Sequence, residues 1–175
     1  MTLLIRQAEL KDAFALAEVH VRTWQHAYHG QLPDQFLAGL SIEQRTTQWK
    51  DWLSYQSPLS SVSAAVNEGS IVGFSWVDRC RDDDVPVHTG ERYAIYVLPM
   101  VQGKGIGKGL INAAVDRLRT VGCQLATLWV LESNSTARRF YEHHGWSPDG
   151  SPKTEQWQDA KLVEMRYRIT LRGKE

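Results

Sequence analysis

Apolar positions along the chain switch between a spacing near two and a spacing near 3.6, and the switches lay out the elements. "TLLIRQ" (residues 2–7) reads as a short strand. From about residue 9 to residue 29, Ala13, Leu16, Ala17, His20, Val21 and Trp24 recur at helical spacing, and Gly30 stops the run. A second helical region begins near Pro33 and carries Phe36, Leu37 and Leu40. Ser41 and Gln44 stand at capping-box spacing, which starts a further helix bearing Trp49, Trp52 and Leu53. The character then changes. "SSVSAAVNEGSIVGFSWVDRC" reads as strand, tight turn at Glu68-Gly69-Ser70, and strand. The polar loop "RDDDVPVHTG" follows, and "ERYAIYVLP" is a strand ending at Pro99. Residues 106–121 form a helix with the stripe Leu110, Ile111, Ala114, Val115 and Leu118, ended by Gly122. "LATLWV" is a short strand, residues 135–144 a helix closed by Gly145, and "LVEMRYRITL" a final strand. This order predicts an α/β or α+β fold with a mixed sheet. No repeat, low-complexity segment or linker divides the chain, so residues 1–175 are expected to form a single domain.

Composition narrows the classes. A chain of 175 residues can bury one proper core but not two comfortable ones. Hydrophobic residues at 42% and charged residues at 23% are ordinary for a globular protein. The formal net charge is zero, so no global field draws in nucleic acid or an anionic membrane. No apolar run approaches the ~20 residues that span a bilayer, and "MTLLIRQAEL" lacks the pattern of a secretory signal. Cys80 and Cys123 lie far apart, outside any Cys-x-x-Cys spacing, and are expected as free thiols in a reducing compartment. A cytoplasmic protein with neither nucleic acid nor membrane as partner is the expectation. The six histidines show no ligand spacing joined to Cys or Asp, so no metal is expected. Asp82, Asp83 and Asp84 form an acidic run, read either as a solvated loop or as a lure for a cationic acceptor.

Seven tryptophans are many for this length. Most of these rings are expected to pack in a core, since each buries a large area. Trp24 and Tyr28 are the candidates for the wall of an acceptor pocket.

The densest chemistry lies in "YVLPMVQGKGIGKGLINAAVDRL", where glycine occupies every second position from Gly103 to Gly109 between a strand and a helix. A helix N-terminus exposes unpaired N–H groups and the positive end of its dipole, and glycines let a bulky anion approach. The spacing excludes a Walker A loop: only three residues separate Gly103 from Gly107, and Lys108 is followed by Gly109. It also excludes a dinucleotide fingerprint, whose last glycine would fall on Lys108 or Leu110. What fits is Gln-x-x-Gly-x-Gly, from Gln102, Gly105 and Gly107.

With "ERYAIYVLPMVQGKGIGKGLINAAVDRL" and "TLWVLESNSTARRFYEHHGW" in the right order, the chain resembles the GNAT superfamily of N-acetyltransferases over most of its length. The resemblance implies a mixed, mostly antiparallel sheet flanked by helices, with two splayed parallel strands holding the coenzyme arm. It implies acetyl-CoA as acyl donor, its pyrophosphate on the backbone of Gln102, Gly103, Lys104, Gly105, Ile106, Gly107 and Lys108. Lys104 and Lys108 read equally as phosphate contacts and as solvated surface charges. The pantetheine arm would pair with backbone at Tyr96, Val97 and Leu98, the Val97 N–H polarising the thioester carbonyl. Asn134 is both a helix-cap residue by position and an implied pantetheine contact. Tyr141 takes the family's general-acid place, protonating the departing thiolate. Glu91 is the implied base; by period two it shares a face with Tyr93, Ile95 and Val97, and either meets the cleft or caps a strand edge. The implied activity is direct acetyl transfer to a primary amine on a small molecule or peptide. A non-catalytic acyl-CoA sensor or scaffold and a transferase using another acyl-CoA donor are the alternatives. Many relatives dimerise, which leaves a homodimer open.

Overall fold

A computed structural model describes residues 3–55, 57–157 and 160–171. Seven strands form one sheet: β1 Leu3–Gln7, β2 Ser61–Asn67, β3 Ser70–Arg79, β4 Thr89–Val97, β5 Leu125–Leu131, β6 Ser147–Trp157 and β7 Ala160–Thr170. Their spatial order is β1-β2-β3-β4-β5-β7-β6, and every pairing is antiparallel except β4 with β5. The helices are α1 Ala13–Ala27, α2 Asp34–Ala38, α3 Ile42–Ser54, α4 Ile106–Thr120 and α5 Ser135–His143. The Ser41 hydroxyl caps α3 by accepting from the Gln44 N–H at 3.2 Å, as the spacing predicts.

The helices cover both faces of the sheet. Ile111, Ala114 and Leu118 of α4, with Tyr141 of α5, pack against Val77, Leu128 and Tyr167. Leu16 and Ala17 of α1 and Trp49 of α3 pack on the opposite face against Ala64 and Phe74. Burying both faces explains why the central strands read as nearly continuous apolar runs. Most tryptophans do pack: Trp49 and Trp146 are buried, and Trp52 and Trp76 lean on the α1/α3 cluster.

The strand β6 is absent from the sequence-based element order. Its segment is polar and carries Pro148 and Pro152, with the register shifting between them. Such a strand survives at an edge, where one row of backbone groups needs no partner, and β6 pairs with β7 alone.

Two irregularities shape the middle of the sheet. Parallel pairing of β4 with β5 covers only residues 89–92 against residues 125–128. Beyond Arg92 and Leu128, β4 stays with β3 and β5 stays with β7, so the two strands part and a wedge opens between residues 93–97 and 129–131. Next to that point, Trp76 pairs with Ala94 but Val77 pairs with Arg92, which leaves one extra residue on β4. This bulge flips the later side chains to the other face. Among the described residues no helix is long and apolar enough to cross a membrane.

Candidate active site

The glycine-rich junction forms the rim of the wedge. After Val97 a short 3-10 turn, Pro99–Val101, leads into residues 102–105, and Gly105 is the N-cap of α4. Gly103 and Gly105 have φ of 75° and 81°, a conformation that costs an L side chain about 1–2 kcal/mol. Gly107 and Gly109 answer a different need. A Cβ on Gly107 would come within 3.3 Å of the Phe140 ring, and one on Gly109 within 3.3 Å of Ile5. So two of the four glycines turn the chain and two admit close packing, rather than all four baring the backbone. The first α-helical bond runs from the Gly109 N–H to the Gly105 carbonyl at 3.1 Å. The amides of Ile106, Gly107 and Lys108 precede it and have no partner within the helix. The Gln102 side chain donates to the Val97 carbonyl at 2.9 Å, tying the loop to the end of β4. Lys104 and Lys108 are exposed.

Along β4 the backbone divides between the sheet and the wedge. The Leu98 N–H donates to the Val72 carbonyl on β3 at 2.9 Å, and the Leu98 carbonyl accepts from Val101 at 3.0 Å. Because strand residues alternate in direction, Tyr96 also turns its backbone to β3, whereas Ile95 and Val97 turn theirs to the wedge. This corrects the expectation that Tyr96, Val97 and Leu98 all offer backbone to a bound arm. Asn134, at the foot of β5, caps α5 by accepting from the Ala137 N–H at 3.0 Å, which uses Oδ1 and leaves Nδ2.

Three tyrosines converge on the wedge. Tyr141 is 4% exposed and sits in the α4/α5 core, while its neighbour Phe140 packs on Gly107 and His144. The Arg92 guanidinium lies 4.8 Å from the Tyr141 ring centroid. Burial pushes the Tyr141 phenol up, and Arg92 pulls it back. Arg92 stands on the last β4 residue paired with β5, is buried, and among the described residues has no ion-pair partner. Sequence reasoning passed over it, because beside Glu91 it reads as one of two charges at the start of a strand. Across the wedge, Trp24 Nε1 donates to the Tyr96 hydroxyl at 2.9 Å, and the Trp24 and Tyr28 rings lie 4.8 Å apart. Burial raises the phenols of Tyr28 and Tyr96, which neighbour each other. Trp24 and Tyr28 therefore sit together beside the opened end of β4.

The carboxylates fall differently from the sequence reading. Glu91 is 1% exposed, and its carboxylate accepts from the Arg81 backbone N–H at 3.0 Å and Nε at 3.2 Å besides pairing with the same guanidinium's Nη2. The bulge also breaks its predicted face. Tyr93 meets Trp76 and the Arg81 guanidinium, but Ile95 and Val97 pack on the α4 side with Ile106 and Leu110. Glu164 on β7 is the second carboxylate, marked in the sequence only as an acid within a strand. It pairs across from Leu131, past the point where β4 and β5 part, and is 24% exposed. Lys153 lies 3.4 Å away, and Tyr28 and Arg81 are within electrostatic reach. Burial raises the Glu164 carboxyl above its usual range. Asp82 and Asp84 are engaged by Arg166 at 3.2 and 2.5 Å, which ties two acids of the three-residue run into the fold. Cys80 and Cys123 are free thiols whose ionisation burial pushes up, so neither is an activated nucleophile.

The chain matches the model of the acetyltransferase (GNAT) family over residues 16–146. It is 32% identical over 146 residues to the uncharacterized N-acetyltransferase YuaI of Bacillus subtilis (strain 168), covering 83% of this chain and 79% of that one. It is 30% identical over 122 residues to a mycothiol acetyltransferase of Propionibacterium freudenreichii, covering 70% of this chain but 37% of that longer protein. Among solved structures, YncA of Salmonella typhimurium with acetyl-CoA aligns with a TM-score of 0.76 at 19% identity, over 100% of this chain and 97% of that one. The PaiA N-acetyltransferase of Thermoplasma acidophilum in complex with coenzyme A aligns at 0.73 and 20% identity, over 97% and 99%. At these identities the structural likeness is one of fold.

Proposed function

The chain belongs to the acetyltransferase (GNAT) family, and on that premise we propose that it moves an acetyl group from acetyl-CoA to a primary amine by direct attack in a ternary complex. One observation carries the reading. The free amides at the start of α4 and the wedge between β4 and β5 open side by side, as a diphosphate with a long thioester arm requires. In this reading the amides of residues 103–108 hold the diphosphate, with Lys104 and Lys108 as flanking charges. The backbone of Ile95 and Val97 and the Asn134 Nδ2 hold the arm. The Val97 N–H hydrogen-bonds the thioester oxygen as it gains charge.

Glu164 accepts the proton of the acceptor ammonium, its raised carboxyl being a better base than an ordinary one. The amine nitrogen then bonds the acetyl carbon, the carbon–sulfur bond breaks, Tyr141 protonates the departing sulfur, and the proton that the nitrogen sheds on becoming an amide returns to the Tyr141 phenolate through water. Arg92 offsets the negative charge that the phenol carries in between. Glu91 holds Arg81 in place, and any proton it takes passes through water. Trp24 and Tyr28 wall the acceptor side.

Thermal-shift titration tests the ligand class first: acetyl-CoA should raise the midpoint, and ATP and NAD should not. Thiol release over an amine panel then tests transfer, and Tyr141→Phe should lower kcat by at least tenfold with acetyl-CoA affinity unchanged. Stabilisation by acetyl-CoA without thiol release for any amine would favour a sensor. Unaltered turnover in Tyr141→Phe would remove the acid assignment.

A further inference from the structure

Lys153 on β6 stands opposite Glu164 in the β6–β7 register. Its nitrogen lies 3.4 Å from Glu164 Oε2, 2.5 Å from Glu155 Oε1 and 5.5 Å from the ring centroid of Trp129 on β5. Since β7 lies between β6 and β5, the lysine stem crosses β7 to bring its charge to the strand that forms one lip of the wedge. The side chain is 42% exposed, and a four-carbon stem on that surface is free to swing. The other described lysines, Lys11, Lys50, Lys104, Lys108 and Lys161, are exposed, and none of them pairs with Glu164. In the acetyl-transfer reading Glu164 takes the proton of the acceptor, so an acceptor ammonium must come within hydrogen-bond reach of that carboxylate. An ammonium of this chain already stands beside it.

We propose that Lys153 is a site of self-acetylation: with acetyl-CoA bound, the protein acetylates the Nζ of its own Lys153. The inference goes beyond transfer to a diffusible amine and rests on that reading. Nζ gives a proton to Glu164, its lone pair bonds the acetyl carbonyl carbon, and the carbon–sulfur bond breaks. Tyr141 protonates the sulfur, and the second proton of the nitrogen returns to the Tyr141 phenolate through water. The products are acetyl-lysine and CoA. Desolvation lowers the pKa of the Lys153 ammonium, but Glu155 and Glu164 outweigh it and hold the group above the ordinary lysine value. Little free amine is therefore present, and the step is slow beside turnover of a free acceptor, although a tethered nitrogen needs no bimolecular encounter. The acetylated side chain is neutral, so the ion pair with Glu164 and one of the two cations flanking Trp129 are lost.

The test incubates wild type with saturating acetyl-CoA and no added amine, and follows each lysine by peptide mass spectrometry. Lys153 should gain acetyl at least tenfold faster than Lys11, Lys50 and Lys161, which report the chemical reactivity of exposed lysines. Its rate constant should be unchanged on tenfold dilution of the protein, as an intramolecular step requires. Tyr141→Phe should slow Lys153 at least tenfold and leave the other three unaltered, and an acetyl-CoA thermal shift retained in that variant shows that it is folded. A Lys153 rate equal to that of the exposed lysines, a rate constant that rises with protein concentration, or a rate untouched by Tyr141→Phe would overturn the proposal. Thiol release onto added amines while Lys153 stays unmodified would overturn self-acetylation alone. No acetyl-CoA thermal shift in wild type would strike the acetyl-transfer reading, and this proposal with it.

Discussion

Glu91 and Glu164 face the same side of the parted sheet but differ in what else holds them. Glu91 is buried and saturated by Arg81, whereas Glu164 is partly open and, among the described residues, ion-paired with Lys153. Glu164→Gln should therefore lower kcat at least tenfold at neutral pH and remove the limb over which the rate rises with pH through a carboxyl pKa above 4.5. Glu91→Gln should lower it less than Glu164→Gln, and the opposite ranking would return the base role to Glu91. His20 gives a stability prediction. Burial pushes its pKa down to about 3, with Arg45 adding to the effect. Between pH 6.5 and about 3 the unfolded chain binds a proton that the folded chain refuses, so this group removes stability as pH falls, by up to about 1.4 kcal/mol per unit. Urea unfolding should show wild type losing about 1 kcal/mol more than His20→Gln between pH 7.5 and 5.5. Equal losses would mean that His20 protonates in the fold. Residue types at the site were legible where a short motif carried them, as with Gln102, Asn134 and Tyr141. Arg92 and Glu164 were not, because strand register alone brings them to the wedge.

At the scale of elements, the junction of β4 and α4 separates two uses of glycine that look identical in sequence. A side chain at Gly105 meets open space, so Gly105→Ala acts through backbone strain alone. It should lower stability by about 1–2 kcal/mol and raise KM for acetyl-CoA. Gly107→Ala pushes instead on Phe140, next to Tyr141, and should lower kcat as well. Steady-state kinetics of the two variants distinguish these outcomes, and matching kinetic profiles would deny that the glycines differ. Helices and apolar strands were readable because each repeats its own period. The edge strand β6 was not, since a strand paired on one side only needs neither apolar alternation nor freedom from proline. The face of Glu91 was misread for a related reason: period two holds only while no residue is inserted, and the β4 bulge inserts one.

Across the whole molecule, Arg166 gathers carboxylates from separate segments. It bonds Asp82 and Asp84 of the β3–β4 loop and Asp149 of β6, with Arg166 and Asp149 side chains each 7% exposed. Arg166→Met would leave Asp149 buried without its cation, so urea unfolding should show a loss of about 3–5 kcal/mol. A loss below 1 kcal/mol would mean that solvent already serves Asp149. The parting of β4 from β5 belongs to this scale too. It follows from which strands β3 and β7 retain, and no local pattern in either strand announces it. That opening, beside the free amides of α4, is the centre of the account. Amide NMR of the labelled protein titrated with CoA tests it most directly. The largest shifts should fall on Gly105, Ile106, Gly107, Lys108 and Val97, with β6 unmoved; no shift at those amides in saturating CoA, or the largest shifts elsewhere, would contradict it.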